Sequence, residues 1–176
     1  IITGIDTPTS GTVLVDDVEI SKLSESERRK IRLQKFGIVF QFFFLVPYLT
    51  GLENVMLPLR FLNYDKRLIR EKAYNALKMV NAAHLADKYP TEMSAGEMQR
   101  IAIARAIASN PKYLVADEPT AALDWKNKVA VWDLFKKLQK ELNVTVIAVS
   151  HEREFVSYAD IVIELRDGEI YDVKRA

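Results

Sequence analysis

The chain has 176 residues, of which 49% are hydrophobic and 28% charged, with a formal net charge of +1. That is enough for one packed core and too short for two ordinary domains, and the near-neutral balance gives no electrostatic case for a nucleic-acid partner. With no Cys, disulfides and thiolate metal sites are excluded. The most apolar window, Ile38 to Leu49, is broken by Gln41 and Pro47 and falls short of the roughly 20 residues a membrane-spanning helix needs. Membrane association would therefore come through a partner. The chain begins with Ile1 and has no charged n-region or apolar signal segment, so it reads as a piece of a longer protein.

In chain order, Ile1 to Gly4 reads as the last turn of a helix, with Pro8 shortly beyond it. Thr12 to Val15 reads as a strand that Asp16-Asp17 fold back toward Val18-Glu19-Ile20. Ser24 to Glu27 has the form of a capping box and starts a charged helix through about Lys35. Phe36 to Gln41 is a strand with a polar end. Phe42-Phe43-Phe44 suits core packing and an exposed partner patch equally well. Asp65 caps a helix that buries Ile69, Ala73, Leu77 and Val80 and turns Lys66, Arg67, Arg70 and Glu71 outward. Asn81 to Tyr89 is a short helical link. His84 has no second ligand at metal spacing and reads as a surface or packing histidine.

The most informative stretch follows. Ser94 is a good N-cap, and Ile101, Ala104, Ile107 and Ala108 repeat at helical spacing, so a helix begins just after Ser94 with its free N–H groups gathered around Ala95 and Gly96. Such an end attracts anions, phosphate above all. Asn110-Pro111 stops the helix, and Tyr113 to Ala116 fits a strand buried on both faces of a parallel sheet. Asp117 and Glu118 stand at its C-terminal end, where open α/β sheets place ligands. Asp124 caps the next helix, whose stripe is Val131, Phe135, Leu138 and Leu142, with Trp132 also in the core. Val144 to Val149 reads as a second buried strand ending in Ser150-His151. Two such ends at one sheet edge, one with Asp-Glu and one with His, point to a switch or catalytic role. Ile161 to Leu165, Asp167-Gly168 and Glu169 to Tyr171 form a hairpin.

Met93-Ser94-Ala95-Gly96-Glu97, with Arg100, resembles the LSGGQ signature of ATP-binding-cassette (ABC) transporter ATPases, and Leu114 to Thr120 resembles their Walker B strand. Gln41, followed by Leu45, Pro47, Thr50, Glu53, Asn54 and Val55, is similar to the Q-loop, and Pro119 to Asp124 to the D-loop. The family resemblance implies a P-loop NTPase-like α/β fold: a mainly parallel core sheet with helices on both faces. It implies one nucleotide-binding domain over residues 1–176, with a helical subdomain at about 42–98. Its cofactors would be ATP and Mg²⁺. Asp117 and Gln41 would hold the metal, largely through water; Glu118 would act as general base; His151 would bridge it to the γ-phosphate. Ser94, Ala95, Gly96 and Glu97 would grip a nucleotide held by a second nucleotide-binding subunit, which Asp124 would face. The partner would be an integral-membrane permease, with the chain peripheral on the cytoplasmic face of the membrane. The segments around Gln41 and ITGIDxPTSG look most like the lipoprotein-release and macrolide-export type.

Three departures qualify the expectation. None of the six glycines is followed by Lys, so the phosphate loop GxxxxGK[ST] is not in the chain, which alone is expected to bind ATP very weakly and not to turn over. Ala95 stands where the family has Gly and would be strained if that position needs φ > 0. Glu97 stands for Gln and sets a carboxylate near the expected phosphate, which would weaken this half of the site. With its first strands lacking, the sheet is expected to leave an edge exposed. The competing reading is a truncated, non-hydrolytic module that docks on a permease. A soluble ABC protein of DNA repair or translation lacks support, since there is neither a coiled-coil insertion nor a basic arm.

Overall fold

The computed structural model describes residues 1–175. Ile1 to Gly4 close a single turn, Gly4 N–H to Ile1 C=O at 2.9 Å, where the sequence suggests the tail of a helix. The short strands β1 (Leu14–Val15) and β2 (Val18–Glu19) pair antiparallel across Asp16 and Asp17, both at positive φ. Helix α1 (Glu25–Lys35) opens with the expected capping box of Ser24 and Glu27. It leads directly into β3 (Phe36–Val39), which is followed by α2 (Gly51–Met56), capped by Thr50, and α3 (Lys66–Met79), capped by Asp65. Then come α4 (Ala95–Ile107), β4 (Tyr113–Asp117), α5 (Trp125–Leu142) and β5 (Thr145–Val149). The hairpin β6 (Ile161–Arg166) and β7 (Glu169–Arg175) turns at Asp167-Gly168, both at positive φ as its tight turn requires.

Strands β3, β4 and β5 form a parallel sheet in that order. Alternate side chains enter two cores. Phe36, Tyr113 and Val115 pack with Val15 and Ile20 beside α1, while Val39, Leu114 and Ala116 join the larger core of α2, α3, α4 and α5. Gly37 lets α4 lie close against β3, because a Cβ there would stand 2.9 Å from the Ala106 carbonyl carbon. Helix α3 buries Ile69, Ala73, Ala76 and Leu77 and leaves Lys66, Arg67, Arg70 and Glu71 exposed. Helix α5 buries Val131, Trp132, Leu134, Phe135 and Leu138, with Leu142 partly covered.

Strand β5 supplies the exposed sheet edge expected from the sequence, but the burial expected for its own side chains is not found. Its residues are half-buried or exposed, and Val149 is 56% exposed. Among the described residues it pairs with β4 alone, so its other edge and much of its surface face solvent. The apolar run Val144 to Val149 marks a strand, but burial on both faces also needs a neighbour.

Candidate active site at two strand ends

The parallel register sets the site. Asp117 lies opposite Val149, so the residues that follow, Glu118 and Ser150-His151, leave the sheet side by side at its C-terminal edge. Val39 lies opposite Ala116, and continuing that register brings Gln41 to the same edge. The backbone N–H of Glu118 donates to Val149 C=O at 2.9 Å and extends the ladder one step beyond β4. Glu118 then turns with φ 45, a left-handed conformation that costs a non-Gly residue about 1–3 kcal/mol and persists where the surroundings enforce it.

That turn aims the carboxylate at His151. Nδ1 of His151 and Oε1 of Glu118 are 2.9 Å apart, with the Glu118 side chain 21% exposed and that of His151 74%. An ionised carboxylate only accepts, so the imidazole N–H donates and Nε2 is left to face outward. The hydrogen bond and charge of Glu118 raise the His151 pKa above its ordinary value. The other oxygen of Glu118, Oε2, is buried with no hydrogen-bond partner. A buried, unpartnered carboxylate oxygen is costly and suits a site that waits for a water or an ion. Asp117 is exposed beside it, and Gln41 is half-buried in the turn after β3.

The signature stretch is separate. Ser94 is the N-cap of α4, its Oγ accepting from Glu97 N–H at 3.3 Å; in return Glu97 Oε2 accepts from Ser94 N–H at 2.8 Å and Ser94 Oγ–H at 2.9 Å. These bonds to Ser94 hold the Glu97 carboxyl below the usual carboxylate range, so it stays ionised at the helix N-terminus. Ala95 begins the helix without a positive φ, which removes the strain anticipated for it. Gly96 does need to be small: a Cβ there would meet the Asn127 carboxamide at 2.5 Å. Asn127 is held by Asp124, which caps α5 and accepts from Asn127 N–H at 3.0 Å. No hydrogen bond joins Ser94 or Glu97 to Glu118 or His151 among the described residues, but Gln99 of α4 donates to Pro119 C=O at 2.7 Å, just past Glu118. His84 is exposed, 3.9 Å from Glu97.

Sequence reasoning missed Arg105. Its guanidinium donates to Phe44 C=O at 2.5 Å and Phe43 C=O at 2.6 Å, and burial pulls its pKa down. Phe43 and Phe44 both take positive φ, so the loop after Gln41 is strained and clamped from α4. Phe43 packs on the core while Phe42 and Phe44 are exposed, so core packing accounts for one ring of the triplet. No local pattern marks Arg105, because its partners are carbonyls 61 and 62 residues away.

Two shallow depressions of the described surface lie away from this edge, one lined by Leu14, Val15, Phe36 and Tyr113, the other in part by Arg32, Phe36 and Arg105.

Residues 1–121 match the family model described as ABC transporter. The chain belongs to the ABC-transporter ATP-binding family. It is 44% identical over 169 residues to the uncharacterized ABC transporter ATP-binding protein MJ1508 of Methanocaldococcus jannaschii, covering 96% of this chain and 75% of that one. It is 39% identical to the lipoprotein-releasing system ATP-binding protein LolD of Buchnera aphidicola, over 97% of this chain and 75% of the relative. It is also 39% identical to the macrolide export ATP-binding/permease protein MacB of Campylobacter jejuni, over 97% of this chain and 26% of that one. The fold matches a dimeric post-hydrolysis structure of the cassette MJ0796 bound to ADP and Pi, with a TM-score of 0.89 and 40% identity, over 99% of this chain and 77% of that one. The lipoprotein-release and macrolide-export resemblance thus holds at the level of relatives, and the chain is the ATP-binding subunit type with an α/β fold built on a parallel sheet.

Proposed function

We propose that this ABC ATP-binding subunit hydrolyses ATP at the Glu118–His151 pair and, through a membrane permease, powers export or lipid and lipoprotein release. The observation that carries the reading is the pair itself: a carboxylate with one oxygen bonded to an imidazole and the other buried and unpartnered. Glu118 acts as general base toward the attacking water, a role worth about 10²–10⁴-fold in rate. His151, its Nδ1–H held by Glu118, turns Nε2 toward the γ-phosphate. Asp117 and Gln41, at the same edge, would hold Mg²⁺ largely through water. Among the described residues no three His, Cys, Asp or Glu gather into a metal cage. Mg²⁺ fits this arrangement because it keeps several waters and needs one or two carboxylates beside the phosphates. Bound there, it would neutralise charge on the phosphate oxygens.

Ser94 and the N–H groups of Ala95 and Gly96 supply the phosphate grip of a second copy, with Asp124 at the junction; the dimeric MJ0796 structures support this arrangement. The exposed rings of Phe42, Phe44 and Tyr48 beside the Gln41 loop support docking of a permease. No described helix is long and apolar enough to cross a membrane. We place the chain peripherally on the cytoplasmic face, with residues 42–98 as a helical subdomain of one nucleotide-binding domain.

No GxxxxGK[ST] segment lies within these 176 residues, which favours, for them taken alone, a docking module without turnover. Calorimetric ATP binding to the 176-residue chain and to a version extended by a GxxxxGK[ST] segment tests both statements. Saturable binding and turnover are expected only in the extended protein. Saturable micromolar binding by the 176-residue chain contradicts the first statement, and absence of turnover in the extended protein contradicts the second.

A further inference from the structure

His151 is exposed, and the hydrogen bond that defines its position in this structure is the one to Glu118. A ring on the surface of a bend keeps its bonding partner only while its backbone holds it within reach. The next residue provides that fixation. Glu152 is only 10% exposed at its side chain, and each of its oxygens has a partner from a different element. Oε2 accepts from Thr120 Oγ–H at 2.7 Å, and Oε1 pairs with Lys128 Nζ. The Glu152 N–H donates to Ser150 Oγ at 3.1 Å, closing the bend around His151. Thr120 is fully buried, two residues past Glu118. Beyond the backbone bond from Glu118 to Val149, side chains therefore tie the two strand ends twice, residue 118 to 151 and residue 120 to 152. Lys128 lies one turn beyond Asp124 on α5, so the second tie also reaches the helix end that carries Asp124.

We propose that Glu152, held by Thr120 and Lys128, is a positioning latch that keeps His151 turned toward Glu118 and couples this pair to the first turn of α5. The inference rests on reading Glu118–His151 as the hydrolytic pair. Three charged groups act on the imidazole: Glu118, which bonds it from the end of β4, Glu152 from its own segment and Lys128 from α5. Burial pushes the Glu152 carboxyl up, but the bonds from Lys128 and Thr120 outweigh it and hold the group below the usual range, so the latch is ionic at neutral pH. Deleting Lys128 leaves an uncompensated carboxylate at a mostly buried site, which drives Glu152 outward toward water and takes the backbone of His151 with it. A side-chain ion pair placed for surface solubility would leave His151 where it is.

The test is a double-mutant cycle on steady-state ATP turnover in the full-length protein: Lys128→Met and Glu152→Gln, each alone and combined with His151→Ala. Misplacing a reacting group by about 1 Å costs up to roughly 10²-fold, so each single variant is expected to lose about tenfold or more in kcat with KM for ATP unchanged. Lys128→Arg is expected to restore most of that loss. In the His151→Ala background neither substitution lowers kcat further. Losses that multiply with that of His151→Ala, or wild-type kcat in Lys128→Met and Glu152→Gln, overturn the latch. A His151→Ala protein that turns over at the wild-type rate overturns the hydrolytic reading itself, which separates the two failures. Thermal unfolding of each variant distinguishes lost fold from lost geometry. Glu152→Gln, which keeps an acceptor and a donor for Thr120, carries the cycle if Lys128→Met does not fold.

Discussion

The C-terminal edge of the sheet and the N-terminus of α4 are both phosphate-facing regions in the proposed mechanism, yet they are satisfied to different degrees. At the sheet edge, Glu118 takes a left-handed φ, keeps Oε2 buried without a partner and shares its other oxygen with an exposed imidazole. At the helix, Ser94 and Glu97 bond reciprocally and complete the cap. The first region carries strain and unmet hydrogen-bonding capacity; the second stabilises its helix, a cap being worth about 0.5–2 kcal/mol. Residues of the sheet edge should therefore matter to turnover far more than to folding, and those of the cap to both.

The contrast is broken or sharpened by substitution at each end. The largest effect is expected from Glu118→Gln, which preserves shape and removes the base: turnover in the full-length protein falls by about 10²–10⁴-fold. Its thermal midpoint stays level at neutral pH or above and falls only below the raised His151 pKa, where the bond to the charged imidazole is lost. Next comes Ser94→Ala. Loss of the cap lowers stability by about 0.5–2 kcal/mol in a denaturant titration, and loss of one hydrogen bond to a charged phosphate lowers turnover by roughly tenfold. Unchanged stability in that variant would mean that the α4 cap is not formed in solution. Glu97→Gln is smallest: either residue completes a capping box, so stability stays within about 0.5 kcal/mol. Removing the carboxylate charge should raise apparent ATP affinity a few-fold, since Glu97 is ionised where the phosphate would sit. A fall in affinity would show that the carboxylate assists binding.

Much of this arrangement was legible from local sequence. The caps at Ser24, Asp65, Ser94 and Asp124 formed as read, because a cap is decided within four residues. So did the juxtaposition of Glu118 with His151, because a parallel register aligns the ends of neighbouring strands. The failures concern partners remote in sequence. The run Val144 to Val149 has the same apolar character as Tyr113 to Ala116, yet β4 is enclosed by β3 and β5 whereas, among the described residues, β5 is covered on one edge only. The clamp from Arg105 to the Phe43 and Phe44 carbonyls, and the Thr120–Glu152–Lys128 tie, have no short motif at all. Strain at Ala95 was anticipated from a family pattern, but φ at that position belongs to the helix, and the residue that must be small is Gly96, against Asn127.

The central claim, that Glu118 and His151 act as one pair, is reached most directly by titrating the His151 imidazole by NMR in the wild-type protein and in Glu118→Gln. The chain holds two histidines, so His84→Asn assigns the signals. The Glu118 bond raises the His151 pKa, so the pair's contribution to stability is fully present below the ordinary histidine value and lost as pH rises through the raised one. The account predicts a His151 midpoint above the ordinary value in the wild type that falls back toward it in Glu118→Gln. The same midpoint in both proteins would contradict it.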